Sequence, residues 1–515
     1  MQDTSANNKR IAKNTMYMYF RMGINMLVSL YTSRVVLSYL GICDFGIYNV
    51  VGSFVAAFSF ISGPLSGATQ RFYNFELGRN NEKQVNVIFN MSFIIYLVLA
   101  FFLILIIQLA GLWFINNKMS LPYERLNVAL IVFELSIASF LFNFLKTPFD
   151  SLVIANEKMS FFAWMSIFDV ILKLANAFSL ILFTGDKLEI FAVNVLIINI
   201  IVAVGVVIYC LKTFAYVRFM KISDFWNQQT FNSLFSFSAW SLFGSVATMT
   251  ATQGLNLLLN VFFGVIVNAA MGVANQINNA VTQFANSFMV AFRPQIVKYY
   301  ASNQMTELKV LIIRTSKVSF ILLFWILCPF WFNVDYMLDL WLGPQNVPDY
   351  AAPFCILMTI YVLQESVQAP LFNTVQATGR IKKYQLIISA AILLNIIISY
   401  AFLKMGFNPT VVLIIKCCVD VLYLIIRLGF VKNVTGLSIS FFIKKVLFPI
   451  FVITTLSLVT MLCLITFFYT PLIRLLLSTF IFITFYPLLV FFSALNKHER
   501  CLFMDKVKTL VIHRQ

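Results

Sequence analysis

Four cations interrupt stretches of the chain that are otherwise apolar: Arg21, Arg34, Lys173 and Lys416. A cation at a bilayer centre costs roughly 2.5 to 3.5 kcal/mol even on the mildest scale, so each must face a polar cavity, pair with a carboxylate or escape to an interface. Two of them fall in MYFRMGINMLVSLYTSR, Met18 to Arg34. At 100° per residue Arg21, Asn25, Ser29 and Thr32 share a face within about 80°. Arg34 lies about 220° from Arg21, off that stripe. Snorkelling to a surface is the bland alternative for both arginines.

Ser166, Asp169, Lys173 and Asn176 form a second stripe, in which Asp169 and Lys173 are four residues apart and able to neutralise each other. Lys416 and Asp420 have the same spacing, and there self-pairing is the favoured expectation. The most polar stretch is VNAAMGVANQINNAVTQFANSF, which sets Asn268, Asn275, Asn279, Thr282, Asn286 and then Arg293 within about 60° of one face. The preceding stretch adds Ser241, Ser245, Thr248 and Thr252. Interhelical hydrogen bonding accounts for part of this pattern; the lining of a wet cavity accounts for more. Glu134 and Glu365 stand as lone carboxylates near mid-membrane, each a candidate proton or sodium site or a protonated packing residue. Unpaired cations in the first half and neutral amides and hydroxyls in the second suit a ligand that is anionic at one end and rich in hydroxyls elsewhere.

The elements that hold these residues follow from composition. Of 515 residues 60% are hydrophobic and 11% charged, against about 25% charged in a soluble domain, and the mean hydropathy is +0.87. The expectation is an all-α polytopic membrane protein. Windows of about 20 residues give fourteen spans, near 14–38, 45–66, 86–112, 124–145, 160–183, 189–211, 233–256, 262–290, 310–332, 350–372, 384–403, 408–430, 446–468 and 471–493. With both termini inside, 28 of the 37 Lys and Arg fall in inner segments and five in outer loops, the asymmetry the positive-inside rule demands. The net charge of +17 thus sits in short loops and implies no nucleic-acid partner.

The eight cysteines show no metal or disulfide spacing, and His498 and His513 lie in the C-terminal tail, which leaves no histidine for a centre in the membrane. Nothing implies a cofactor. The N-terminus MQDTSANNKRIAKNT is polar for too long to be a cleaved signal. A shift of 223 residues sets YLGICDFGIYNVV against FFGVIVNAAMGVA, pairing Gly41 with Gly264 and Val50 with Val273, and further along Ala68 with Ala291 and Asn80 with Asn303. Each copy holds six spans and ends in an amphipathic linker, KISDFW or GLSISFF. An even number of spans makes the repeats parallel, with the substrate site between them. The expected domains are a six-helix lobe over 1–220, a second over 221–435, and 436–515 with the linker, helices 13 and 14 and a tail.

YLGICDFGIYNVVGSF, LDLWLGPQ (Leu338 to Gln345) and the two six-span lobes resemble the polysaccharide-exporter branch of the MOP superfamily, and within it the Wzx-type flippases of O-antigen and capsule repeat units. The resemblance implies export of an undecaprenyl-pyrophosphate-linked oligosaccharide from the cytoplasmic to the periplasmic leaflet by alternating access. It assigns Arg21, Lys173 and Arg34 to the pyrophosphate, since a guanidinium holds phosphate oxygens bidentately. Sugar hydroxyls would then meet Asn25, Asn275, Asn279, Thr282, Asn286, Ser245 and Thr248. It implies a multi-pass protein of the bacterial inner membrane with cytoplasmic termini, in contact with membrane lipids and other polysaccharide-assembly proteins.

Three alternatives stay open. A lipid II flippase would share the spans and the cationic cavity. A cation-coupled small-molecule antiporter of the MATE branch shares the fold, although such proteins resemble one another in a first-span carboxylate that this chain lacks. A membrane polymerase or glycosyltransferase would use the outer acidic segment with Asp335, Asp339 and Asp349. No Walker A loop is present, so a nucleotide-driven pump within this chain is excluded.

Overall fold

A computed structural model describes residues 2–117, 123–182, 185–467 and 470–493. The tail with His498, His513 and Cys501 lies outside them. Hydrocarbon offers no partner for backbone N–H and C=O, so a spanning chain of this hydropathy must close its hydrogen bonds within helices. The described residues hold no strand and fourteen main helices. These are α1 (Gln2–Ala57), α2 (Ser62–Gly78), α3 (Glu82–Asn117), α4 (Leu126–Ala155), α5 (Met159–Ser179), α6 (Lys187–Thr213), α7 (Gln228–Ala301), α8 (Met305–Phe332), α9 (Val334–Leu342), α10 (Ala351–Ala377), α11 (Lys382–Lys404), α12 (Val411–Thr435), α13 (Phe448–Phe467) and α14 (Pro471–Ser493). The two linkers each contain a one-turn helix, Ile222–Phe225 and Ile439–Phe442, anchored by a buried phenylalanine, Phe225 and Phe442.

Among the described residues eleven helical segments are long and apolar enough to cross a membrane. The other three expected spans, 14–38, 262–290 and 408–430, are helical as well. Polar stripes lower the hydropathy of the first two, and the third carries three charged residues, Lys416, Asp420 and Arg427. Side chains such as Leu109 and Leu257 are 74% and 65% exposed, as expected of helices whose outer faces meet lipid.

Unbroken, α7 with its 74 residues would run about 110 Å at 1.5 Å per residue, against a hydrocarbon core of about 30 Å. It is broken at Gly264, with φ 75°, and α1 is broken at Gly41, with φ 77°. A Cβ at either position would meet nothing within 4 Å. Backbone conformation, not crowding, therefore requires glycine there. The two glycines are the pair related by the 223-residue shift, and the paired Asn80 and Asn303 also share a left-handed backbone, at φ 56° and 59°.

The helices gather into two compact units. The first comprises Met1–Val246, Ser287–Gln304 and Gln376–Gln385; the second comprises Ala247–Asn286, Met305–Val375 and the chain from Leu386. In the first, α4 packs against α6, α2 and α3, and α1 lies along α5. A core of Phe133, Phe144, Ile107 and Leu188 occupies one end and a second core of Phe89, Phe149, Tyr73 and Leu152 the other. In the second unit α8 packs against α13 and α14, burying Phe324, Phe482 and Tyr486.

At the end of the first unit away from most basic residues, Arg125 donates to Asp44 at 3.0 Å and to Asp186. Asp186 also caps α6 by accepting from the N–H groups of Leu188 and Glu189. One arginine thus ties the starts of three spans. Arg125→Ala leaves buried Asp44 without its cation and is expected to destabilise the protein by about 1 to 3 kcal/mol, read as a lowered unfolding temperature of the purified chain.

Candidate functional site

The polar seam of the first unit runs between α1 and α5. Aromatic contacts fix its register: Phe20 packs edge-on to Trp164 with ring centroids 6.2 Å apart, and the Arg21 guanidinium lies 5.2 Å from the Phe162 ring centre. Ser166 is the hub. Its hydroxyl oxygen accepts from Asn25 Nδ2 at 2.8 Å and from Arg21 Nη1 at 3.5 Å. One turn on, Lys173 donates to Asp169 at 2.8 Å. The spacing 162, 166, 169, 173 keeps all four side chains on one face of α5. Three buried polar atoms along this seam have no protein partner: Arg21 Nε, Asn25 Oδ1 and Asp169 Oδ1. Two arginine or lysine charges against one carboxylate leave the seam with one net positive charge.

The remaining predicted residues are dispersed. Arg34 is exposed. Ser245, half-buried on α7, belongs to the first unit, while Thr248, Asn275, Asn279, Thr282 and Asn286 belong to the second. Within the second unit Asn275 and Thr282 are half-buried and Thr248, Asn279 and Asn286 exposed. Glu134 is not a lone carboxylate: exposed on α4, it accepts from Gln108 Nε2 of α3 at 2.5 Å.

Glu365 sits in a charged cluster built from α10 and α12 in the second unit, within electrostatic reach of Tyr361, Lys416 and Asp420. The expected pairing of Lys416 with Asp420 does not form. Lys416 Nζ lies 4.0 Å from the centre of the Tyr361 ring, where the ring face offers a cation site. Asp420, 1% exposed, accepts from Gln368 Nε2 at 2.5 Å, and Arg427 donates to Gln368 Oε1 at 3.0 Å. One amide therefore joins a carboxylate to a guanidinium across two helices. Arg427, counted from sequence as a loop cation, is buried inside α12.

Two further arrangements escaped the sequence reading. Ser136, Ser139 and Asn143 on α4, with Tyr48 and Asn199, line a cavity of about 290 Å³; their spacing by three and four was a visible signal. At the basic end of the first unit, Glu157 accepts from Gln295 Nε2 and Lys298 Nζ, all at 2.8 Å. Beside it Arg293 donates to Gln376 Oε1 at 2.9 Å and to the Gly67 carbonyl at 3.3 Å. Sequence separations above 80 residues gave no signal for these. Burial pushes the Tyr216 phenol up to about 12, so it remains protonated and donates to Asn156 next to Glu157.

Residues 242–401 match the family model described as MatE. No curated protein matches the chain. Solved structures match over 84% of its length. One is a crystal structure of a MATE protein in complex with MaD3S, at 13% identity, 97% coverage of that chain and a TM-score of 0.69. Another is the outward-facing conformation of a multidrug resistance MATE family transporter of the MOP superfamily, at 14%, 96% and 0.68. A third is a MOP superfamily transporter from Pyrococcus furiosus, described by the reverse polarity of its binding pocket, which suggests a different function, at 12%, 96% and 0.68. The fold is that of the MATE-type transporters.

Gln368→Leu removes the amide between Asp420 and Arg427 and is expected to destabilise the protein by about 1 to 3 kcal/mol; Gln368→Glu, which can still accept from Arg427 but faces Asp420 as a second carboxylate, should cost at least as much. Thermal unfolding of the two variants in detergent checks this.

Proposed function

We propose that the protein is an alternating-access exporter whose cargo is an undecaprenyl-pyrophosphate-linked oligosaccharide, carried from the cytoplasmic to the periplasmic leaflet of a bacterial inner membrane for O-antigen or capsule assembly. In this reading both termini are cytoplasmic and the basic end faces the cytoplasm. The six-helix lobes over 1–220 and 221–435 alternate around the cargo, and 436–515 is an appendix. The observation that carries it is the Arg21 seam: a guanidinium, an amide and a lysine gathered in the membrane, with buried polar atoms left unpartnered and no carboxylate in the first span. Diphosphate oxygens match Arg21 and Lys173, and hydroxyls match Asn25 and Ser166. A neighbour on this fold, described by a binding pocket of reverse polarity that suggests a different function, supports a cargo unlike that of the multidrug transporters. With the interior negative, outward movement of each negative charge gains about 2.3 kcal/mol per 100 mV.

A second reading, a cation-coupled small-molecule antiporter, has the wider support from the MatE match and the neighbours' names. The observation on its side is the Glu365 and Asp420 cluster, where a proton or sodium ion would exchange. Lipid II differs from the first cargo only in its sugar and peptide.

Leaflet exchange of a labelled polyprenyl-pyrophosphate oligosaccharide in liposomes tests the proposal. Wild-type exchange should fall at least about tenfold in Arg21→Ala, the loss of one charge-assisted contact, and recover in part in Arg21→Lys. No exchange with several glycans, with and without a potential, defeats it in favour of the antiporter. Glu365→Gln and Asp420→Asn should abolish any stimulation of transport by a proton or sodium gradient, measured in the same liposomes.

A further inference from the structure

The basic end of the first unit contains a cavity of about 780 Å³ that the Arg21 seam does not touch. It is assembled from three separate pieces of chain: the middle of α2, the first three turns of α7 and the turn after α10. Its cationic groups are Arg71 and Arg380, its polar groups include Gln229, Asn232, Ser233 and Thr378, and no carboxylate lines it.

Arg71 is built into the wall. It is 6% exposed, held between the rings of Phe72, Phe75 and Phe237 at 4.6 to 5.7 Å. Its Nε and Nη2 donate to the Ala377 carbonyl at 3.3 and 2.8 Å. Among the described residues Nη1 donates to no protein acceptor, so one edge of a nearly buried guanidinium is left for the cavity. The turn is shaped around it: Gly379 has φ +75°, and a Cβ there would come within 2.6 Å of Arg71 Nη2. The residue before α7, Asn227, caps it, its side-chain oxygen accepting from Thr230 N at 3.0 Å. Gln229, Asn232 and Ser233 share one face of its first turns. The positive end of that helix adds to the two arginines.

From these features we propose that the cavity is a binding site for a phosphate ester with a polar remainder. Two guanidiniums and a helix start address the phosphoryl oxygens. The amides and hydroxyls address the remainder, and a volume in the range of small-molecule sites is far larger than an inorganic phosphate fills. A soluble sugar phosphate and a phospholipid headgroup share this chemistry. The site is independent of what the protein carries.

Its test is binding to the purified full-length chain in two arms, glucose 1-phosphate in detergent by equilibrium dialysis and phosphatidylglycerol against phosphatidylcholine in nanodiscs by thermal unfolding. Saturable binding or stabilisation in either arm is expected and identifies the source. Arg71→Gln risks the fold, because Arg71 also holds Ala377. Arg380→Gln and Ser233→Trp, both at exposed positions, therefore decide the matter. Each should weaken the effect at least about tenfold, whereas Arg21→Ala should leave it unchanged. Silence of the wild type in both arms, wild-type binding by both variants, or loss of binding in Arg21→Ala would overturn the proposal.

Discussion

Hydrocarbon tolerates no bare charge, and the interior of this protein is arranged around that constraint. Four of the cations inside spans are given a partner by a neighbouring helix or by their own: Arg21 by Ser166 and the Phe162 ring, Lys173 by Asp169, Lys416 by Tyr361 and Arg427 by Gln368. These partners differ in what they leave over. In the second unit the amide of Gln368 uses both its oxygen and its nitrogen. Along the α1 and α5 seam the polar atoms outnumber their partners, and an excess of donors and acceptors in a dry medium is unstable unless something polar comes to fill it.

Much of this was legible in the residues. Helical periodicity and apolar windows fixed the architecture because lipid leaves the backbone only one way to satisfy itself, and they remained informative even for the three spans that polar stripes or charges set apart. The stripes of Arg21 with Asn25 and of Ser166 with Lys173 were readable because they repeat within one helix. Their meeting through Ser166 was not, since it joins residues 141 positions apart. The same limit explains the misreading of Lys416 and Asp420. Spacing by four permits a pair, but an aromatic face on α10 and an amide two turns along it compete for both partners, and neither is visible from α12 alone.

The basic end of the first unit illustrates how short segments distant in sequence become one surface. Residues 287–304 and 376–385 join it through Glu157, Arg293 and Arg71, each of which reaches a backbone carbonyl or a buried amide more than 80 residues away. Glycine occurs where two of these approaches are tightest: Gly379 beneath Arg71, and Gly67, where a Cβ would stand 2.8 Å from Arg293 Nη2.

The breaks at Gly41 and Gly264 bear on how the protein enters a membrane at all. Each joins, without a loop, a span poor in apolar residues to one that is richer: 14–38 to Asp44–Gly78, and Gln228–Gly264 to 262–290. On insertion scales a helix carrying an arginine or a row of asparagines partitions weakly by itself. Tethered by a single residue to a better-inserting neighbour, it has no loop on which to lag behind. Each pair can therefore enter as one unit, with the polar member carried into the bilayer by its partner, and the polar stripes are admitted at the expense of no other span.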